Sequence, residues 1–480
     1  MKILFSLFLL SCFISSCHSD RAYYENAICI ENINIIDPLD GLTKNQTLII
    51  QNGKIRQISH SMSLNISKKN TIIDGSGKYL IPGLWDAHIH FAYIEALAPS
   101  MFDLFLLYGI TSVRDTGGDI NFVKIWKDKS IQNPTTTPRV MIAGPLLDGY
   151  PNVYDGSDPG HPPLSIGLRS LDKVQQKIEE LSESGVDLLK AYEMLSPEQF
   201  KKVMQIAQQK KLKVTGHVPL SMDVISASNA GLNSMEHLRN LELSCASNAD
   251  QLLSIRRNML EAGKNTRGAL LRTHIHNAQR AMAIQNFDEE KANQVLDVLA
   301  KNNTWQIPTL TLATGREFKH FSQPGWDQSF DLLPAQIAQN WRLAIQEFQE
   351  SPTLPFWSTQ AQWMVDMVGR IHEKDIPIMA GTDTPIFFLT PGLSLHQELF
   401  SLVKAGLSPL DALKSATYNP AIYFDMQDEL GRIKENYWAD LVILDDNPLQ
   451  DIRNSQKITH VIKQGALIDR EKIIKQLGKS

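Results

Sequence analysis

The sequence predicts an α/β protein: a (β/α)8 barrel of the TIM type, joined to a small β-sandwich domain that the N- and C-terminal segments build together. Three observations carry that expectation. Both ends of the chain read as short alternating strands, the middle alternates strand with helix, and eight apolar strand candidates follow one another through the middle. The 480 residues are 43% hydrophobic and 21% charged, enough to bury a large core in one big domain plus a smaller one. A formal net charge of -5, with no basic stripe or long single-sign block, argues against a nucleic-acid partner and leaves a small molecule or short peptide.

Residues 1–17 differ in kind from the rest. Lys2 precedes the apolar run Ile3 to Leu10, and Ser15 and Ser16 lead into Cys17, the pattern of a removable export signal too short to span a membrane. Ile14-Ser15-Ser16-Cys17 also resembles the lipobox of bacterial lipoproteins. That resemblance implies secretion across the inner membrane and a lipid anchor at Cys17 on the periplasmic side; the plain alternative is an ordinary cleaved signal with an incidental cysteine. Cys12 is the poorer candidate because the apolar run before it is short. Beyond the signal only Cys29 and Cys245 remain, too few for a disulfide framework, and either one bridge or, preferably, two isolated buried thiols.

The first part of the small β-domain, residues 22–80, contains Ile28-Cys29-Ile30, Leu48-Ile49-Ile50 before the turn Asn52-Gly53, Ile55 to Ile58, and Thr71-Ile72-Ile73. Its second part, residues 426–475, contains Leu441 to Leu444 and His460-Val461-Ile462. Between them, residues 81–425 form the barrel. Its strands are expected at Leu84 to His90, Gly109 to Arg114, Arg139 to Ala143, Leu188 to Tyr192, Lys213 to His217, Ser234 to His237, Gln306 to Leu312 and Pro377 to Asp383. Amphipathic helices separate several of them: Asp172 to Ser184 places Val174, Ile178 and Leu181 on one face, and Pro197 to Lys210 is another. Leu241 to Asn303 is an unusually long, helix-rich connection, and Leu147 to Gly167, rich in Gly, Pro and Asp, is expected to be an irregular loop over the same face.

Chemistry collects at the strand ends. His88 and His90, two apart on a strand, point to one face and suit one metal ion, although an ordinary pair reads the same way in isolation. Asp383 can ligate a metal and take a proton, or cap the following helix. Lys190 stands in the apolar run Leu188-Leu189-Lys190-Ala191-Tyr192; it either snorkels or pairs, or its desolvated amine adds carbon dioxide to become an anionic carbamate. His217 and His237 close two more strands and singly read as structural histidines. Together, two histidines on strand one, lysine on strand four, histidines on strands five and six and aspartate on strand eight all sit where barrel active sites gather. Weaker candidates for substrate contact are His161 on the Gly-Pro-Asp-rich loop, Tyr192 beside the lysine, and Arg114, for which an internal ion pair with Asp115 is the first reading and a substrate carboxylate the second.

This order of ligands, with Ile81-Pro82-Gly83-Leu84-Trp85-Asp86-Ala87-His88-Ile89-His90, Thr111-Ser112-Val113-Arg114-Asp115, Ala380-Gly381-Thr382-Asp383, Ala416-Thr417-Tyr418-Asn419-Pro420-Ala421 and Ala439-Asp440-Leu441-Val442, resembles the metal-dependent amidohydrolase superfamily, in its imidazolonepropionase-like and prolidase-like branch. The resemblance implies two divalent metal ions, zinc first with manganese or cobalt able to substitute. His88 and His90 would hold one and His217 and His237 the other; carboxylated Lys190 would bridge them and Asp383 would ligate the first. It further implies a metal-bridging hydroxide attacking an amide carbonyl, with Asp383 passing a proton to the leaving amine, and dipeptides as the favoured substrates. Cyclic amides, lactones or phosphotriesters are the alternative substrates, and a lipid-anchored binding protein with a degenerate site is the non-enzymatic alternative.

Overall fold

The computed structural model of the protein describes residues 24–60, 69–352 and 354–478, so the expected export signal and Cys17 lie outside the described residues. Seven parallel strands, Leu84–Ile89, Ile110–Asp115, Arg139–Ile142, Leu188–Ala191, Lys213–Gly216, Ser234–Glu236 and Trp305–Ile307, form the first seven staves of the barrel. The first, second and fourth are buried along their whole length, as parallel strands covered by helices require. The eighth position is irregular backbone rather than the regular strand expected at Pro377 to Asp383. It bridges the seventh strand through Gln306 and Ile378 and the first through Ile89 and Thr384. Ala87 N donates to Ala380 O, and Met379 N to Gln306 O, both at 2.9 Å. Gly381 permits that approach: a Cβ there would lie 2.8 Å from the His88 Cβ and 2.9 Å from its backbone nitrogen.

The stretch expected as an irregular loop is instead framed by a parallel strand pair, Leu146–Gly149 and Ser165–Leu168, and Leu147 also pairs with Ala191 of the fourth barrel strand. Its regular part escaped the sequence pattern because Gly149 and Gly167 have low strand propensity, while the neighbouring sheet supplies the hydrogen bonds that propensity does not. The seventh strand is likewise shorter than expected: beyond Ile307 the chain turns into the short helix Leu310–Ala313. Helices follow the sequence more closely. Ser196 caps Pro197–Lys210 in a reciprocal capping box with Gln199, and Lys211 ends it in a left-handed conformation (φ 58°). In Leu171–Glu183 the buried residues are Val174, Ile178 and Leu181.

Two long connections rise over the barrel mouth. The one after the sixth strand carries the helices Ala249–Ala262, Gly268–Gln285 and Glu289–Lys301. The one after the seventh, which the sequence pattern did not single out, carries Ala335–Glu350 and Pro355–Glu373. At the other end, the terminal segments share one sheet. Tyr79–Pro82 lies between Ile28–Asp37 and Leu441–Leu444, pairing Leu80 with both Ile35 and Ile443. Asn52 (φ 52°) and Gly53 (φ 76°) turn Gly41–Gln51 back onto Lys54–His60. The sheet folds over its own apolar cluster, which includes Ile30, Leu48, Ile55, Leu441 and Ile462. Cys29 and Cys245 are separate buried thiols whose pKa burial pushes up to about 12. Among the described residues no helix is long and apolar enough to cross a membrane.

Candidate metal centre

Six side chains named from the sequence, His88, His90, Lys190, His217, His237 and Asp383, line one cavity of about 610 Å³ at the mouth of the barrel. Asp383 Oδ1 lies 3.2 Å from His88 Nε2 and 3.1 Å from His90 Nε2, and Asp383 Oδ2 lies 3.5 Å from His237 Nε2. The ring centroids of His88 and His237, and of His237 and His217, are each 4.8 Å apart. Local backbone makes this convergence. His237 (φ 57°) and Asp383 (φ 68°) adopt the left-handed region, which breaks strand alternation; consecutive Glu236 and His237 are both buried in the site as a result.

Each imidazole is held by its other nitrogen. His88 Nδ1 donates to Glu236 Oε2 at 2.6 Å, His90 Nδ1 to Gly117 O at 3.0 Å and His217 Nδ1 to Glu193 Oε1 at 2.5 Å. His237 Nδ1 donates to Thr309 Oγ1 at 2.6 Å, whose own proton goes to Pro308 O. These acceptors place the proton on Nδ1 and leave a bare lone pair on Nε2. His88 and His90 therefore turn two lone pairs, 3.4 Å apart, toward a carboxylate oxygen. The contacts of Asp383 Oδ1 have ion-pair distances, yet no hydrogen bond reaches it. Electron pairs gathered in this way are stable around a cation, and one donor atom from each of His88, His90 and Asp383 lies within 4.8 Å of the others.

Electrostatics point the same way. Burial holds His217 down at about 3 and His237 well below the usual imidazole range, so both rings are neutral, as ligands must be. Burial opposes ionisation of Asp383, and the carboxyl is held well below its ordinary pKa only by positive charge among the His88 and His237 rings, the place a bound cation would take. Lys190 is 1% exposed, and its Nζ has no hydrogen-bond partner. Burial lowers it to about 8, leaving about a tenth as free amine at pH 7, against less than a thousandth for an ordinary lysine. Its nearest carboxylate, Glu236 Oε1, is 4.0 Å away and already accepts Arg114 Nη2 at 2.7 Å and the Thr215 hydroxyl.

The weaker sequence candidates divide. Tyr192 lines the cavity, its ring 4.4 Å from that of His217. His161 does not line it; it bonds Asp158 at 2.9 Å and reaches the cavity only through the ring of Tyr154, 5.4 Å away. Arg114 is fully buried beneath the site, paired with Glu236 rather than with Asp115, and is no substrate contact. Asp115 instead accepts the backbone N–H groups of Phe91 and Gly117. Sequence reasoning missed Glu193 and Glu236, which hold His217 and His88. Their signal was an acidic residue at the end of an otherwise apolar barrel strand, three positions after Lys190 and one before His237. It also missed the cavity arginines Arg239, Arg272, Arg280 and Arg316.

A sequence model described as the amidohydrolase family matches residues 79–468. Among curated proteins, the ochratoxinase of Aspergillus niger is 39% identical over 97 residues, a stretch that is 19% of this chain and 19% of that protein's length. Two solved structures superpose over nearly the whole chain. One, a Xaa-Pro dipeptidase with methionine in its active site, has TM-score 0.66 and 19% identity, covering 92% of this chain and 99% of the other. The second, a bottromycin amidohydrolase, has TM-score 0.67 and 19% identity, covering 95% and 89%.

Proposed function

The chain belongs to the amidohydrolase family, and we propose that it cleaves the C–N amide bond of a small substrate with two bound divalent cations, dipeptides being the favoured class. The observation that carries this reading is that the Nε2 atoms of His88, His90 and His237 lie within 3.5 Å of Asp383, with His217 packed against His237, each ring fixed from behind by an acceptor at Nδ1. His88, His90 and Asp383 would hold one cation, His217 and His237 the other. The buried, unbonded Lys190 amine would take up carbon dioxide and supply the anionic oxygens between them. Zinc suits this imidazole and carboxylate donor set, and manganese or cobalt can replace it. Bound there, such a pair supplies Lewis acidity toward the amide carbonyl and an activated water.

The chain's own residues do the rest. Asp383, held ionised, receives the proton of the attacking water and returns it to the departing amine nitrogen, so that the broken C–N bond yields a carboxylate and an amine. Glu236, clamped by Arg114, keeps the His88 ring aimed, and Glu193 does the same for His217. Leu146, Tyr154 and Leu164 on one side and the helices of the two long connections on the other form the walls that limit water.

The test is a panel of dipeptides, cyclic amides and lactones offered to protein reconstituted with zinc, manganese or cobalt, with and without bicarbonate. Turnover of linear amides that rises with bicarbonate is the expected result; activity confined to cyclic amides or lactones refutes the linear-amide proposal. We also propose export and lipid anchoring at Cys17. Mass spectrometry of the mature N-terminus should find a lipidated Cys17, and an unmodified terminus elsewhere overturns the anchor.

A further inference from the structure

We propose that His276 is a positioning residue for the second cation: acting through Glu193, it fixes the tautomer and the aim of the His217 ring. One ligand of that cation is then set by the helix Gly268–Gln285 of an inserted connection rather than by the barrel itself. This rests on the two-cation reading above and deepens it by giving the two halves of the centre different supports.

The hydrogen bonds behind His217 form one continuous chain. His217 Nδ1 donates to Glu193 Oε1 at 2.5 Å, and His276 Nε2 donates to the other oxygen, Oε2, at 2.8 Å. Arg280 Nη2 donates to His276 Nδ1 at 3.0 Å, and Arg280 Nε donates to Glu242 Oε1 at 3.2 Å. His276 and Arg280, four positions apart, share one face of the helix. Glu193, Glu242 and His276 are buried, so water does not compete for these bonds. The chain starts at the ligand just past the fifth strand and finishes in the short helix Leu241–Ser244, just after the ligand His237. Its protons run one way. A guanidinium has donors only, so His276 Nδ1 must present a lone pair and the ring proton must lie on Nε2. That proton occupies Glu193 Oε2 and leaves Oε1 to His217 Nδ1, which keeps His217 Nε2 bare for a metal. Arg272 and Arg239 supply charge but not direction: their Nε atoms stand 3.3 Å and 3.7 Å from Glu193 Oε1 and make no hydrogen bond.

The same helix also steadies the backbone beside His217. Gln279 Oε1 accepts Arg256 Nε at 2.7 Å, Arg256 Nη1 donates to Asn240 Oδ1 at 2.8 Å, and Asn240 Nδ2 donates to Val218 O, directly after His217, at 2.7 Å. Gln279, Arg256 and Asn240 are all buried. The other ligand rings rest on different ground. Glu236, which holds His88, is gripped by Arg114 and Thr215 of neighbouring barrel strands; His90 bonds the backbone of Gly117, and His237 bonds Thr309. Those acceptors lie on barrel strands or directly after them. Loosening His276 therefore weakens the cation between His217 and His237 and spares the one on His88, His90 and Asp383.

Manganese titration of the full chain in bicarbonate buffer tests this, with calorimetry reading affinity and electron paramagnetic resonance reading the exchange coupling of a paired site. The unaltered protein should take about two ions. In His276→Leu the first ion should bind within about threefold of that protein, while the second weakens about 10- to 100-fold and the coupled signal fades. His276→Gln, whose amide donates to Glu193 and accepts from Arg280, should return the second ion to within about threefold. Arg280→Met is the gentler change, at a partly exposed side chain, and should cost the second ion about three- to tenfold. Nitrogen NMR of histidine-labelled, metal-free protein gives a reading that needs no cation: His217 should carry its proton on Nδ1, and become a mixture of tautomers in His276→Leu. Unchanged affinity for both ions in His276→Leu and Arg280→Met, or equal weakening of both ions, overturns the positioning role. Fewer than two ions on the unaltered protein refutes the two-cation reading instead, and the His217 tautomer then decides: a shift in His276→Leu upholds the role of His276, and an unchanged tautomer overturns it.

Discussion

Two lysines, one at the barrel mouth and one at its base, show how the same burial can serve opposite ends. Lys190 and Lys463 are 1% and 0% exposed, and burial lowers both to about 8. Lys463, ending the strand Ile458–Lys463 of the terminal sheet, donates to Asp440 Oδ2 at 2.9 Å, and that carboxylate also receives Arg139 from the third barrel strand at 3.2 Å. Its charge is answered inside the fold, at the seam where sheet meets barrel. Lys190 has no hydrogen bond, and its nearest carboxylate is already committed to Arg114 and His88. A buried amine costs free energy unless something pairs with it. At the base the partner is committed to the lysine, while at the mouth the carboxylate of Glu236 stands 4.0 Å off and is bonded to Arg114. The two lysines differ in partnership rather than in burial.

The contrast is broken most directly by deleting each amine. Lys190→Ala should lose most of its bound metal and about 1000-fold or more of its amide-hydrolase activity, with its folding stability little changed, as metal analysis, kinetics and thermal melting would show. Retention of metal and rate by that variant would falsify the bridging role. Lys463→Met should do the reverse. It removes one of the two cations that answer Asp440, leaving Arg139, and should cost about 2 kcal/mol of stability in denaturant titration, with kcat of the surviving folded protein unaltered.

Glu193→Gln sharpens the comparison from the ligand side. It keeps the shape but weakens the hold on His217 Nδ1 and removes the charge facing Arg239 and Arg272, so metal affinity or kcat should fall about 10- to 100-fold together with a drop in Tm. A loss confined to stability would make Glu193 a packing residue. The smallest effect concerns Glu398, buried away from the ligands, where it accepts Leu310 N at 2.8 Å and Thr311 N at 2.7 Å. Burial raises its pKa to about 7, above the unfolded carboxyl value. Its contribution to stability is thus complete below the unfolded pKa and is lost as pH rises through about 7. Tm should fall by roughly 3 °C between pH 6 and pH 8.5 on this account, and Glu398→Gln should flatten that dependence. An identical slope in the variant would assign the pH effect elsewhere.

Much of the barrel could be read from the sequence because each parallel strand is a short apolar run ended by a polar residue, and each flanking helix repeats its buried face every three or four positions. The eighth strand and the start of the segment 147–167 were read less well. Their backbone takes its hydrogen bonds from neighbouring strands rather than from local preference, as Gly381 and Gly149 show. His88, His90, Lys190, His217, His237 and Asp383 were legible for the same local reason: each stands at the end of its own strand, and barrel geometry carries strand ends to one mouth. Arg114 was misassigned because an arginine on a strand does not announce which carboxylate it will meet, and its partner, Glu236, lies 122 residues further on.

The sequence by itself determined the family, the alternating architecture and the strand-end residues His88, His90 and Asp383 that could hold a metal, since these depend on patterns a few residues long. Tertiary structure alone decided which nitrogen of each histidine faces inward, that Lys190 is left without a hydrogen bond, and that Arg239 and Arg272, the latter from an inserted helix, lie beside Glu193. These outcomes rest on contacts between groups tens to hundreds of residues apart, whose distances exist only after the chain has closed its barrel.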